Sequence, residues 1–108
     1  MNKQEEIQEL KSILSSIISL DKQYREHNYN YRYAPKAKDR EYAGKNMSIY
    51  SDYIEQELCN PIVSKIIKRD SPFQFENFWR EAGSVVPGYI EKIESRLNDL
   101  IADAHTSD

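Results

Sequence analysis

Residues 7–20 read IQELKSILSSIISL, and the apolar side chains in this stretch recur at steps of three and four residues. Such spacing places most of them along one face of an α-helix. The helix is expected to begin after Asn2, whose side chain can accept a hydrogen bond from the backbone N–H of Glu5. If it continues to Glu26, it is long enough to span a whole domain of this size. The chain is therefore predicted to fold around one long N-terminal helix.

Cap signals mark further helix starts downstream. A second helix is expected from Asp39, with apolar residues at helical spacing after it. Residues 60–61 (NP) and 70–72 (DSP) each place a capping residue shortly before or next to a proline, which is typical of a helix start. At residues 60–61 we expect either a new helix or a kinked continuation of the second one. The helix that begins at 70–72 is expected to end at Gly83, since glycine suits a left-handed C-terminal cap.

The last quarter of the chain is predicted to hold a turn and a final helix. Residues 84–88 form the expected turn, with Pro87 at the first position of that helix. The helix carries an a/d heptad run at Ile90, Ile93, Leu97, Leu100 and Ala104. The polar residues 105–108 are expected to fray. Together these patterns predict a single all-α domain over residues 1–108, built as a small bundle of four to five helices.

Residues that usually carry chemistry are scarce. Cys59 cannot form an intramolecular disulfide, because the chain has one cysteine, and we expect it to be a small buried core residue. With His27 and His105 it offers fewer ligands than a typical zinc site needs. The three glycines lie too far apart to build a phosphate-binding loop. We therefore expect no cofactor, no metal site and no enzymatic activity, with His27 as a hydrogen-bonded surface residue.

Composition also limits location and partners. The sequence shows no secretory leader and no apolar run that could span a membrane, so a cytoplasmic protein is expected. The net charge of −3 disfavours binding to long duplex nucleic acid, which selects basic domains.

A tyrosine-rich, basic segment follows the first helix. Residues 22–45 read KQYREHNYNYRYAPKAKDREYAGK and hold seven basic and three acidic residues, a local charge of +4 in a chain of net charge −3. Pro35 disfavours helical backbone at Ala34, and residues 27–38 lack helical periodicity. These residues are predicted to form a loop rich in tyrosine, arginine and lysine between the first two helices.

The tyrosines of this region divide into two groups. Tyr42, Tyr50 and Tyr53 lie on or near the apolar face of the second helix and are expected to be core rings. The three tyrosines within residues 29–33 cannot all be buried by a polar loop, so they are expected to fold over the bundle or to contact a ligand or partner. The candidate binding residues are Tyr24, Arg25, His27, Tyr29, Tyr31, Arg32, Tyr33, Lys36, Lys38 and Arg40.

Interleaved aromatic and basic residues support two functions. The first is a non-catalytic helical module, of adaptor or inhibitor type, that binds an acidic protein partner, because tyrosine and arginine dominate binding hot spots. The second is an oligomeric domain that binds or sequesters a nucleotide-like anionic ligand, with rings stacked on a base and basic groups on phosphates. The long first and last helices also favour a homo-oligomer, a dimer or higher, since a second copy could cover them.

Overall fold

The computed structural model describes residues 2–67 and 75–106, without the side chains of residues 75–78, 80 and 106. Within these residues the chain forms α-helices and no strand, which confirms the all-α fold and the long N-terminal helix. The helices are α1 (Lys3–Tyr33), α2 (Ala37–Leu58), α3 (Pro61–Ile67) and α4 (Phe75–Thr106).

Helix α1 begins as its sequence predicts. The side chain of Asn2 accepts a hydrogen bond from the backbone N–H of Glu5 at 2.9 Å, and its amide donates to the Glu5 carboxylate at 3.2 Å. This reciprocal pair satisfies a backbone donor that the helix cannot satisfy internally. The apolar face of α1 is buried at Ile7, Leu10, Ile13, Leu14 and Ile17.

The predicted loop over residues 27–38 is wrong, because residues 27–33 continue α1 and the connection is only Ala34–Lys36. Nothing before Pro35 blocks a helix, and side chains one turn apart support it. Arg32 Nε donates to the Asn28 side chain at 3.3 Å across such a turn. Helix α1 ends where proline predicts, with Ala34 in extended backbone just before Pro35.

Arg40 fixes the short connection between α1 and α2. Its guanidinium donates to the backbone carbonyls of Ala34 at 2.7 Å and Pro35 at 3.1 Å. These carbonyls follow the last turn of α1, where a helix leaves acceptors without internal partners. The two helices therefore form a tight antiparallel hairpin, and α2 begins at Ala37, two residues before the expected Asp39.

The expected helix end at Gly83 and the expected turn over residues 84–88 are wrong, because α4 continues through both. The chain stays helical through Gly83, Pro87 and Gly88 to Thr106, so residues 84–106 belong to one helix rather than to a turn followed by a new helix. The physical reason is a buried face that continues across the proline. Its members are Ala82, Val86, Ile93, Leu97 and Leu100. The expected helix start at 70–72, and residues 107–108 of the tail, lie outside the described residues.

Side-chain contacts show that α2 and α4 both run antiparallel to α1. Ser16, in the first half of α1, donates a hydrogen bond at 3.1 Å to the carboxylate of Glu57, at the end of α2. Arg96, far along α4, pairs with Glu6 at 3.7 Å. Helix α3 begins at Pro61, as predicted, and packs against α4. The result is an elongated bundle of 59 × 25 × 18 Å, with the α1–α2 connection at one pole.

Cys59 is exposed, so its expected burial is wrong; it lies just past the end of α2, beyond the buried Leu58. None of the helices in the described residues carries an apolar stretch of the length that a membrane crossing requires.

Candidate binding surface at the end of the hairpin

The last turns of α1 and the start of α2 bring most of the candidate residues to one pole of the bundle. Tyr29 and Tyr33 expose 64% and 66% of their surface, and Tyr31 exposes 41%. Arg32, Lys36 and Lys38 are also exposed, and together with these tyrosines they form what we call the hairpin-end surface: Tyr29, Tyr31, Arg32, Tyr33, Lys36 and Lys38. These side chains stand on helices and a three-residue connection rather than on a long loop.

Tyr29 and Tyr33 form an exposed aromatic pair. They are one helical turn apart, and their ring centroids lie 5.0 Å from each other at an interplanar angle of 47°. A ring pair of this spacing on a helix stabilises its own arrangement by about 0.2–0.5 kcal/mol. The pair stands between two depressions and contributes to the walls of both.

The larger depression, the α1–α4 groove, has a volume of about 680 Å³. Among the described residues that line it, the charged side chains are Arg25 and Arg32, both basic. The wall on α4 is formed by Trp79, Gly83 and Ser84. The groove therefore offers positive charge beside aromatic rings.

The two arginines of the groove differ in their pairing. Arg25 Nε donates to the carboxylate of the buried Asp21 at 2.8 Å, so its charge is partly neutralised by its own helix. Arg32 makes no ion pair with a carboxylate of the described residues and bonds instead to the neutral Asn28. Arg32 is consequently the stronger attractor for an anion in the groove.

Tyr24 has a structural task at this pole. Its ring is buried, and its hydroxyl donates to the backbone carbonyl of Trp79 at 2.5 Å, tying α1 to α4. Burial raises the pKa of the Tyr24 phenol, against smaller opposing effects from the Gly83 backbone and from Arg32. Tyr24 therefore forms part of the floor of the α1–α4 groove, below the exposed rings.

His27 belongs to a row of rings along the seam between α1 and α2. It stacks on Tyr50 with centroids 5.4 Å apart and meets Tyr42 edge-on at 6.4 Å, while Tyr53 continues the row beside Tyr50 at 6.1 Å. Tyr50 packs against the core as expected. Tyr42 and Tyr53 are exposed, so their expected burial is wrong, because they point off the edge of α2 rather than toward α4.

Sequence reasoning missed the groove residues on α4. Tyr31 meets Trp79 edge-on at 6.1 Å and lies over Gly44, where an added Cβ would come within 3.1 Å of the ring. Gly44 thus leaves room for the Tyr31 ring against α2, which explains a glycine inside a helix. No spacing in the sequence links Tyr31 to Trp79, since the contact depends on how α4 packs.

The part of the chain that the structure describes contains no group of three or more His, Cys, Asp or Glu side chains placed to hold a metal ion.

Comparison of the chain with protein-family models, with curated proteins and with solved structures finds no match.

Proposed function

We propose that the protein is a cytoplasmic, non-catalytic interaction module that binds an acidic surface of a protein partner through the hairpin-end surface. The observation that carries the proposal is the exposure of Tyr29, Tyr31 and Tyr33 beside Arg32 within a single helical segment. Tyrosine and arginine contribute large contact area and directional hydrogen bonds, and they are enriched at the centres of interfaces.

Placement on a helix strengthens the proposal. A long flexible loop would lose conformational entropy on binding, whereas α1 holds its side chains in position beforehand. The connection is also held, since Arg40 bonds to the carbonyls of Ala34 and Pro35. A partner therefore meets a surface that is already ordered.

The positive charge of the hairpin-end surface indicates that the partner surface is acidic. Arg32, Lys36 and Lys38 concentrate positive charge at one pole of a chain with net charge −3. Such an asymmetry attracts an acidic patch and orients the encounter, and the attraction weakens as salt rises.

A direct test reverses charge at this pole. Lys36→Glu combined with Lys38→Glu is expected to abolish salt-sensitive capture of an acidic partner from cell extract, because two attractive contacts become repulsive. The matched control is Lys3→Glu with Lys11→Glu, which changes the net charge equally on exposed positions at the other end of α1. The captured protein is identified by mass spectrometry, and its affinity is then measured with purified components. Equal capture by both double variants would refute the proposal.

A second candidate function is binding of a nucleotide-like anion in the α1–α4 groove. Its volume of about 680 Å³ lies within the range of small-ligand sites, and Arg25 and Arg32 are the charged residues in its described lining. Phosphate would pair with Arg32, and a base would lie against Tyr31 and Trp79. This candidate requires that added adenosine monophosphate raise the melting temperature of the protein, since a ligand that binds the folded state stabilises it. Arg32→Ala should then remove the shift, while Lys11→Ala should leave it.

A further inference from the structure

Helix α2 carries an exposed stripe that the bundle does not cover. Its members follow one another at steps of four, three, four and three residues, and we call them the α2 stripe: Tyr42, Asn46, Ile49, Tyr53 and Gln56. Tyr42, Ile49 and Tyr53 expose 66%, 45% and 48% of their surface. The opposite side of α2 carries the buried residues Ala43, Met47, Ile54 and Leu58. The α2 stripe therefore faces away from α4.

The spacing of the α2 stripe is that of a two-helix seam. The a and d positions of a coiled coil alternate at steps of four and three residues. A helix face that stays in contact with water usually carries charged and polar residues at such positions, rather than two tyrosines and an isoleucine. Asn46 stands at an a-type position, where a polar residue lowers the stability of the contact. Its side chain donates to the Tyr42 backbone carbonyl at 2.9 Å, so one of its two amide N–H groups already has a partner if the stripe is covered.

We propose that the α2 stripe is the interface with a second copy of this chain, docked antiparallel along α2. In this arrangement Tyr42 of one copy packs on Tyr53 of the other, and Asn46 packs on Ile49. The twofold axis then repeats both contacts, as a closed dimer requires. His27 and Tyr50, next to Tyr42 and Tyr53 in the ring row, widen the contact onto α1.

Charges beside the stripe select a second copy and its direction. Lys45 and Asp52 are seven residues apart and flank the same edge of the stripe. When two copies lie antiparallel, Lys45 of each faces Asp52 of the other, which gives two attractive pairs. A parallel pair would instead bring Asp52 toward Glu57 of the second copy. Lys45 already meets Glu41 at 3.7 Å, but that contact is highly exposed and contributes little.

The first experiment measures oligomeric state by sedimentation equilibrium over a range of protein concentration. Wild-type protein is expected at the mass of two chains, and Ile49→Lys is expected to raise the dimer dissociation constant by at least about tenfold, because it places a charge in the seam. Ile18→Lys is the matched control, since Ile18 on α1 is an isoleucine of nearly equal exposure, 44%. Circular dichroism verifies that both variants stay helical.

A charge exchange tests the direction of the pair. Lys45→Asp and Asp52→Lys each place like charges opposite one another in the antiparallel dimer, so each alone should dimerise weakly. A mixture of the two restores both attractive pairs, and native mass spectrometry with one variant isotopically labelled should show heterodimers in excess of the statistical share. A wild-type mass of one chain would overturn the proposal, as would a dimer unaffected by Ile49→Lys or a mixture without heterodimer preference.

The α2 stripe is separate from the hairpin-end surface. Arg32 belongs to α1 and Lys36 to the connection, whereas Lys38 stands on the first turn of α2, one turn before Tyr42. The partner-capture experiment is therefore repeated with Arg32→Glu combined with Lys36→Glu, which leaves α2 unchanged, and Ile49→Lys reports on self-association. Either proposal can fail while the other holds.

Discussion

Tyr24 links the two longest helices through one hydroxyl group. Sequence placed it among the binding residues, because it stands at the start of a basic, tyrosine-rich segment. The structure buries its ring and directs its hydroxyl to the carbonyl of Trp79 on α4. A buried phenol is satisfied there by a backbone acceptor, as buried polar groups usually are. Its contribution is therefore to stability at the pole where the candidate site lies.

Tyr24→Phe is expected to lower the free energy of unfolding by about 1 kcal/mol at neutral pH, since it deletes one buried hydrogen bond. Burial holds the pKa of the Tyr24 phenol above its ordinary value of 10.0. The stability from this group is therefore complete below pH 10.0 and is lost as pH rises through the folded-state pKa. Tyr24→Phe should accordingly lose less stability than wild type between neutral and strongly alkaline pH, measured by urea unfolding at each pH.

The control for this prediction is Tyr29→Phe. Tyr29 is exposed, and its hydroxyl makes no hydrogen bond to the described residues. Tyr29→Phe should change the free energy of unfolding by no more than about 0.5 kcal/mol. The loss of stability between neutral and strongly alkaline pH should then be the same as in wild type. Equal behaviour of the two variants would contradict the role given to Tyr24.

Helix α4 shows how packing can override local signals. Gly83, Pro87 and Gly88 within six residues are typical of a turn, yet Ala82, Val86 and Ile93 stay on one buried face. A break near Pro87 would turn one half of that face away from α1. Burial of the whole face contributes more than the missing backbone hydrogen bond costs, because each buried aliphatic side chain stabilises by about 1.5–3 kcal/mol.

Gly88→Ala distinguishes the continuous helix from the expected turn. Gly88 is exposed, and an added Cβ would meet nothing within 4 Å. In a helix the substitution should raise the free energy of unfolding by about 0.5–1 kcal/mol, measured by urea unfolding, because alanine has the higher helix propensity. A loss of stability would contradict the helix and favour a turn with a left-handed glycine. Gly44→Ala should gain less, since its Cβ would press on Tyr31 at 3.1 Å.

The two proposed binding surfaces lie on different parts of the molecule. The antiparallel packing of α2 and α4 on α1 yields an elongated bundle, with the hairpin-end surface at one pole and the α2 stripe along one side. The heptad faces of α1 and α4, on which the expected oligomer rested, are buried within the single chain at Leu10, Ile17, Ile93 and Leu100. Self-association, as proposed here, therefore uses α2.

The sequence by itself determined the all-α class, the cap at Asn2, the apolar face of α1 and the start of α3 at Pro61. These features depend on spacing and capping within a few residues, which are local properties of the chain. The sequence also singled out Tyr29, Arg32 and Tyr33 as candidate binding residues, but it left open whether the rings fold over the bundle, and the structure shows them exposed.

Only the tertiary structure decided where helices continue and which side chains meet. Residues 27–33 and 84–88 are helical because contacts with the rest of the bundle and across helical turns outweigh weak local preferences. The α1–α4 groove joins Arg32 to Trp79, residues far apart in the chain, so no periodicity could reveal it. The exposure of Tyr42 and Tyr53 likewise depends on which face of α2 packs against the other helices, and a helical pattern alone leaves that open.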